Sequence, residues 1–487
     1  MSTGETASNL FSDGGLAAAV PSRPDVVIVG GGLAGLAAAA AAVEAGLMVQ
    51  LVEGRRQCGG RAASFEDASD GTLVDACQHV AMGCCTNFLD LCRQAGIGEQ
   101  LRRDRTLWFI GPDGDRAACT PAGWLPAPLH LAPLLLGMRH FSLREKFALA
   151  VGMLRLAAWK PAGGDAVEPT AAAWLAARQP TRVIELFWQP VIESALGESI
   201  DLVGLSAVKK VAVDGFLSHP TASDLWVPTR PLGDLFGDRL VNWLTSRGVR
   251  IMTGRQVTTV ERDAGGRATG VRVAGELLEA AAVILAVPWR AAARLVPDLL
   301  PPVADTFAGS PITAVHLWFD RPIIDLPHAV LVGRVSQWVF QGDEAPGGPS
   351  AAGDEPAHHC QVVISASRGL CGGDRRLLLE TVVGELREIF PAARQARLLR
   401  SRIVTDPTAV LSVRPGVDRV RPGAETTVPN LLLAGDWTAT GWPSTMEGAV
   451  RSGRLAAAAA ARAVGRSAGP LTADLPKNRL VAMITGC

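Results

Sequence analysis

The sequence predicts an α/β fold, with a parallel sheet assembled from separated stretches of chain and a second, α+β unit interleaved between them. Three observations predict it. Residues 25–53, DVVIVGGGLAGLAAAAAAVEAGLMVQLVE, pass from a β-branched run through a glycine-rich turn into an alanine-rich helix and a second apolar strand. Residues 281–287 (AAVILAV) and 431–434 (LLLA) are further apolar runs of strand length, hundreds of residues downstream. At 487 residues the chain exceeds one simple core, so two or three folding units are expected.

In chain order, residues 25–29 read as a strand buried on both faces, and Gly30, Gly32 and Gly35 form G-x-G-x-x-G. Gly30 permits the tight turn. Gly32 lets the backbone approach a pyrophosphate, with Leu33 and Ala34 opening the helix whose N-terminus attracts it. Gly35 allows close helix–strand packing. Gly46 stops the helix, and the strand at 48–52 ends at Glu53, 18 residues after Gly35 and placed to accept hydrogen bonds from adenosine ribose hydroxyls. A packed Ala/Gly helix with no ligand would leave Glu53 unexplained. After Gly54, residues 55–61 read RRQCGGR. Arg55, the pair Gly59-Gly60 and Arg61 bring more backbone and positive charge to a diphosphate, which an ordinary NAD dehydrogenase does not need.

This E-x(5)-GGR arrangement resembles the FAD-binding amine oxidase and phytoene desaturase superfamily. The resemblance implies a Rossmann-like FAD-binding domain of the GR2 flavoprotein type with an interleaved α+β substrate domain. It also gives a role to LLLAGDWTATGWPSTMEGAVRSG at 431–453. There the last strand ends in Gly435-Asp436, whose carboxylate binds the ribityl–phosphate side of the flavin. The helix beginning near Met446 points its N-terminus, with Thr445, Met446 and Glu447, at the flavin pyrimidine. A helix dipole there stabilises the negative charge of reduced flavin near N1/O2. As a plain N-cap, Asp436 would sit about ten residues too early. With no His or Cys inside this motif, non-covalent FAD is implied.

Residues 249–252 read as a short strand, and 256–263 with 269–273 as a hairpin about Gly265-Gly266; in the resembling family the backbone of Val257 pairs with the adenine. The FAD domain is thus expected from 22–95, 225–290 and 398–468, and the substrate domain from 96–224 and 291–397. A polar leader (1–24), a surface loop at 341–357 and a C-terminal tail (469–487) complete the chain.

Lys+Arg and Asp+Glu both number 47, so nothing global attracts nucleic acid. The leader lacks the charged start of a signal peptide. Mean hydropathy is high, at +0.21, yet no apolar run reaches the roughly 18–20 residues of a spanning helix. Nine cysteines without a C-x-x-C pair suggest reduced thiols in a cytosolic protein and no metal site.

DACQHVAMGCCTNFLDLCRQAGI (75–97) and PITAVHLWFDRP (311–322), with the 435–453 stretch, look like the plant-type phytoene desaturase branch. More closely, they resemble the squalene-associated flavoenzymes, the hydroxysqualene dehydroxylases of hopanoid biosynthesis. The similarity runs from about 25 to 465. Amine oxidases of the superfamily place an aromatic cage, often tyrosine, at the flavin and a lysine on the strand equivalent to 311–319. This chain has no tyrosine, and His316-Leu317 lie where that lysine would be, though Trp437 and Trp442 are possible substitutes for the cage.

The resemblance implies reduction of hydroxysqualene to squalene, with a general acid for the departing hydroxyl. His79 and His316 are the candidates because imidazole titrates near neutral pH; Glu193 and Asp214 are weaker ones. A lone histidine is more often structural. The alternatives are a desaturase or isomerase of a carotenoid-type polyene, running in the opposite redox direction, and a non-catalytic flavin-bound scaffold for isoprenoid enzymes. Segment 124–157, WLPAPLHLAPLLLGMRHFSLREKFALAVGMLRLA, sets apolar residues beside Arg139, His140, Arg144, Lys146 and Arg155. That pattern suits shallow insertion at anionic headgroups, and hence a peripheral place on the cytoplasmic membrane with other squalene-pathway enzymes as possible partners. An internal core helix pair is the other explanation.

Overall fold

The computed structural model describes residues 23–68, 71–161, 167–300, 306–342 and 357–486. Most of the predicted leader and of the predicted 341–357 loop lies outside them. The first sheet has five parallel strands in the order Arg250–Met252, Val49–Val52, Val26–Val29, Ala282–Leu285, Leu431–Leu433. Val26–Val29 and Ala282–Leu285 are buried at every residue, as expected where helices cover both faces of a parallel sheet. Helices Leu33–Glu44 and Met446–Ala463 pack here through stripes of buried alanine, whose small side chains let the two backbones lie close. Gly30, Glu53, Ala286 and Gly435-Asp436 follow the carboxyl ends of four neighbouring strands. This is the edge at which open α/β sheets bind ligands.

A second sheet has seven strands in the order Leu398–Leu411, Gly309–Phe319, His358–Ile364, Trp338–Gln341, His328–Leu331, Leu107–Ile110, Arg116–Cys119. Its pairings are antiparallel except between His328–Leu331 and Leu107–Ile110. The predicted hairpin forms between Val257–Arg262 and Ala268–Val273, and Glu276–Glu279 adds a third strand.

Two boundaries differ from expectation. Leu398–Leu411, assigned by sequence to the third FAD-domain piece, is the edge strand of the seven-stranded sheet, paired with Gly309–Phe319. The chain passes from that sheet to the FAD sheet without a compositional break, so sequence offered no marker there. The C-terminal tail is anchored: Thr472 and Asp474 bind Asn87, Arg454 and Arg451, and helix Arg479–Thr485 then packs Val481 against Ala157, Val213 and Leu217. Within 124–157, helices Ala132–Gly137 and Leu143–Ala158 form, the latter started by a capping box between Ser142 and Glu145.

Candidate functional site

A cavity of about 1040 Å³ opens along the carboxyl edge of the parallel sheet and runs under the seven-stranded one. That is the upper end of the range for a single drug-sized ligand, which suits a long dinucleotide with space beyond it. Its first half is a polar cradle. Gly30 has φ +107°, and a Cβ there would lie 2.4 Å from the Ala286 carbonyl oxygen; a Cβ on Gly35 would lie 1.9 Å from the Gly30 oxygen. Gly30 and Gly35 are therefore required by backbone contact, whereas a Cβ on Gly32 would meet only the Gly60 Cα at 3.9 Å. The helix they open has no side-chain cap and no acid in its first turn, so its terminal amides are left for an anion. Gly59 N–H donates to the Gly31 carbonyl at 2.8 Å, drawing the Gly59-Gly60-Arg61 stretch onto the fingerprint turn. Glu53 accepts from the amides of Gly31 (2.6 Å) and Arg55 (2.7 Å), which fixes its carboxylate at the cavity edge.

Asp436 and Arg61 meet across the cradle as an ion pair, although 375 residues separate them. Ser444 donates to the other Asp436 oxygen, and Arg61 also donates to the Ala409 carbonyl at 2.7 Å. Asp436 is thus a cavity-lining anion and not a cap; the N-cap is Thr445, whose hydroxyl accepts from Gly448 N–H at 3.2 Å. The loop between them is held by a residue that sequence reasoning missed. Buried Arg421 donates to the carbonyls of Asp436, Thr438 and Trp442. The second arginine of RVRPG gives no signal of this. Gly54, Arg55, Val257 and Met446 also line the cavity, with Leu33, Ala34 and Gly32.

Glu447 borders the cavity, but its carboxylate is engaged elsewhere. It accepts from Asn87 N (3.2 Å), Asn87 Nδ2 (3.0 Å) and Phe88 N (2.8 Å) and pairs with Arg451 at 3.3 Å. Its task is to cap helix Thr86–Gln94, which has no side-chain cap of its own. Burial raises its carboxyl above the usual range even so.

The second half of the cavity is an apolar chamber walled by residues such as Phe109, Val191, Phe216, Val330, Trp338 and Phe340. His79 lies on its wall. Its Nδ1 is 2.9 Å from the Cys77 carbonyl, and burial, with Arg61 nearby, lowers its pKa. A carbonyl only accepts, so Nδ1 carries the proton and Nε2 presents a lone pair. This corrects the expectation of an acid at His79: the neutral ring is an acceptor.

His316 is a second correction. It lies outside the cavity wall, stacked on His359 with centroids 5.3 Å apart and within 3.1 Å of its Nε2. Burial, with Arg400 and Arg402 close by, pushes His316 down to about 4, and burial, with His316 and Arg400 close by, pushes His359 down to about 3. A neutral, enclosed pair of this kind packs the sheet and has no route to a substrate in the chamber. Glu193 is likewise behind the wall, between Gln189 and Gln337, and Asp214 is paired at 2.7 Å with Lys210, which does line the chamber beside Trp442.

Fold and site define a dinucleotide-binding flavoprotein. The profile described as flavin containing amine oxidoreductase matches residues 33–461, and the chain belongs to that family; FAD is its cofactor. The chain is 28% identical to the hydroxysqualene dehydroxylase of Rhodopseudomonas palustris over 89% of its own length and 97% of the relative's. It is 25% identical to the 15-cis-phytoene desaturase of Synechococcus elongatus over 89% and 95%. Among solved structures, cyclohexylamine oxidase from Brevibacterium oxydans shares the fold, with a TM-score of 0.66 at 18% identity, covering 91% of this chain and 100% of that one. The protein is an FAD-dependent oxidoreductase.

Proposed function

We propose that the chain reduces hydroxysqualene to squalene. The observation that carries this reading is the single cavity that joins a dinucleotide cradle to an apolar chamber bearing a cation, Lys210, and a hydrogen-bond acceptor, His79. A C30 alcohol has one polar group, which these two side chains suit. A polyene hydrocarbon would offer nothing to His79 Nε2 or to the Lys210 donors that Asp214 does not take, at a solvation cost. The similarity to a hydroxysqualene dehydroxylase supports the same reading.

In this reading FAD is held non-covalently. Gly30, Gly32, Leu33, Ala34 and the Gly59-Gly60 backbone bind the diphosphate; Glu53 takes the ribose hydroxyls, and the Val257 backbone the adenine. Arg61 and Asp436 hold the ribityl side. Thr445 and Met446 bring the helix N-terminus to the pyrimidine. When bound and reduced, the flavin supplies a hydride. The chain's own task is to orient the allylic carbon, exclude water and assist departure of the hydroxyl. The second reading, a phytoene-desaturase-like enzyme with a polyene substrate, is favoured by the lone pair on His79, which suits a base, and by the similarity to phytoene desaturases. Delivery of either lipid fits a protein resting on the cytoplasmic membrane, near enzymes of the same pathway.

One anaerobic turnover separates the two. Purified protein is reduced with dithionite, freed of excess and mixed with hydroxysqualene. Return of the oxidised flavin band with stoichiometric squalene is expected. A flavin that stays reduced beside intact alcohol overturns the reading and directs the next experiment to oxidised enzyme and a polyene.

A further inference from the structure

Departure of hydroxide from carbon needs a proton, and His79 is poorly placed to give one. The other ionisable groups on the cavity wall are committed or unsuited. Arg61 and Asp436 pair with each other, Glu53 holds two amides, and Glu447 caps a helix. Asp406 accepts from the Thr408 amide at 2.8 Å. The guanidiniums of Arg55, Arg255 and Arg294 do not release protons, and the Cys84 thiol is hydrogen-bonded with Cys85. Burial drives the Cys77 thiol up to about 12, and the hydrogen bond with Cys84, together with burial, raises Cys85, which makes both weak donors.

Lys210 remains. It ends helix Leu205–Lys210, and the chain then widens into a π-helical turn, Val211–Leu217. Such turns are rare in general; of the three among the described residues, with Ile184–Trp188 and Gly233–Arg239, only this one contributes to the cavity wall. With its i→i+5 spacing the turn keeps Lys210, Val211, Gly215 and Phe216 on the cavity wall. Asp214 Oδ2 lies 2.7 Å from Nζ and takes one of its three donors. Nζ sits 4.5 Å from the Trp442 ring centroid. Trp442 lies three residues before the cap of the helix aimed at the flavin, so the ammonium stands where the flavin loop meets the chamber.

We propose that Lys210 binds the hydroxyl of the isoprenoid alcohol and gives it the proton with which it leaves as water, and that Asp214 is its positioning residue. The proposal rests on the dehydroxylase reading and names the donor that reading requires. The C–O bond breaks as Nζ transfers a proton to the departing oxygen, and the carbon would take the hydride that bound, reduced FAD would supply. The alcohol gains two electrons and the flavin loses two, and Nζ recovers its proton from solvent.

The test uses the FAD-loaded full chain and begins without turnover. Equilibrium binding of hydroxysqualene and of squalene to the oxidised protein is followed by perturbation of the flavin spectrum. Wild type is expected to prefer the alcohol. Lys210→Met is expected to lower that preference at least tenfold while leaving squalene binding unchanged. Lys210→Arg keeps a donor that cannot surrender its proton, so it should retain the preference and slow single turnover at least a hundredfold. A folded, FAD-loaded Lys210→Met with the full preference overturns the proposal, and Lys210→Arg at wild-type rate overturns the proton transfer. If these occur while wild type still forms squalene, only the role of Lys210 falls. Wild type with neither preference nor squalene formation overturns the dehydroxylase reading, and the proposal with it.

Discussion

Single side chains in this protein are set by what surrounds them more than by what they are. Histidine drew attention in the sequence because imidazole titrates near neutrality, but one ring is fixed as an acceptor by the Cys77 carbonyl and the other is sealed against a second histidine. Glu193 shows the same dependence and gives a pH test. Burial raises its carboxyl from 4.5 to about 7. Between those values the folded state holds a proton that the unfolded chain has released, so this group's contribution falls as pH rises from 4.5 to 7 and is constant above. Glu193→Gln removes that dependence. The variant should gain about 3 kcal/mol over wild type at pH 8 and nothing at pH 4.5, read as a difference in melting temperature at the two pH values. A difference that does not change with pH would refute the burial argument.

At the level of elements, legibility followed sequence distance. The strand–turn–helix–strand unit ending at Glu53 was readable because its glycines and acid fall within about thirty consecutive residues, with Gly30 held at a positive φ and Gly35 packed on the Gly30 carbonyl. Helix Met446–Ala463 was placed correctly at its first residue because the N-cap and the alanine-rich run are likewise local. The duty of Glu447 was not readable, since its partner Asn87 is 360 residues away. The edge strand Leu398–Leu411 was missed for the same reason, since its partner Gly309–Phe319 lies far along the chain, whereas Arg421 was missed because its partners, 15–21 residues away, are backbone carbonyls that carry no sequence signature. Glu447 makes the consequence measurable. Glu447→Ala leaves the amides of Asn87 and Phe88 without an acceptor and Arg451 without one of its anions. A loss of about 2–4 kcal/mol in denaturant unfolding is expected, with Glu447→Gln recovering part of it by accepting one bond. An alanine variant as stable as wild type would mean that the helix start needs no cap.

For the molecule as a whole, the proposed substrate is a barely soluble lipid that has to reach a chamber enclosed between two sheets. Among the described residues, no helix is long and apolar enough to cross a membrane. The surface nevertheless exposes large apolar side chains along one stretch: Trp124, Leu129 and Leu136, then Leu143 (77% exposed) and Phe147 (73%). Arg139 and Arg144 are exposed among them, which is the composition of a face that rests among anionic headgroups. The stretch is not uniform, because Leu134, Met138 and Leu149 turn inward to the core. The segment therefore has a core side and an exposed side, and a test of membrane docking has to touch only the exposed side. Leu136→Asp with Phe147→Asp should reduce co-sedimentation with anionic vesicles at least fivefold while FAD content and melting temperature stay within error of wild type. Leu134→Asp should instead lower the melting temperature, since it places a charge in the core. If the outer double variant sediments with vesicles as wild type does, the lipid enters by another face and the exposed stretch has a different partner.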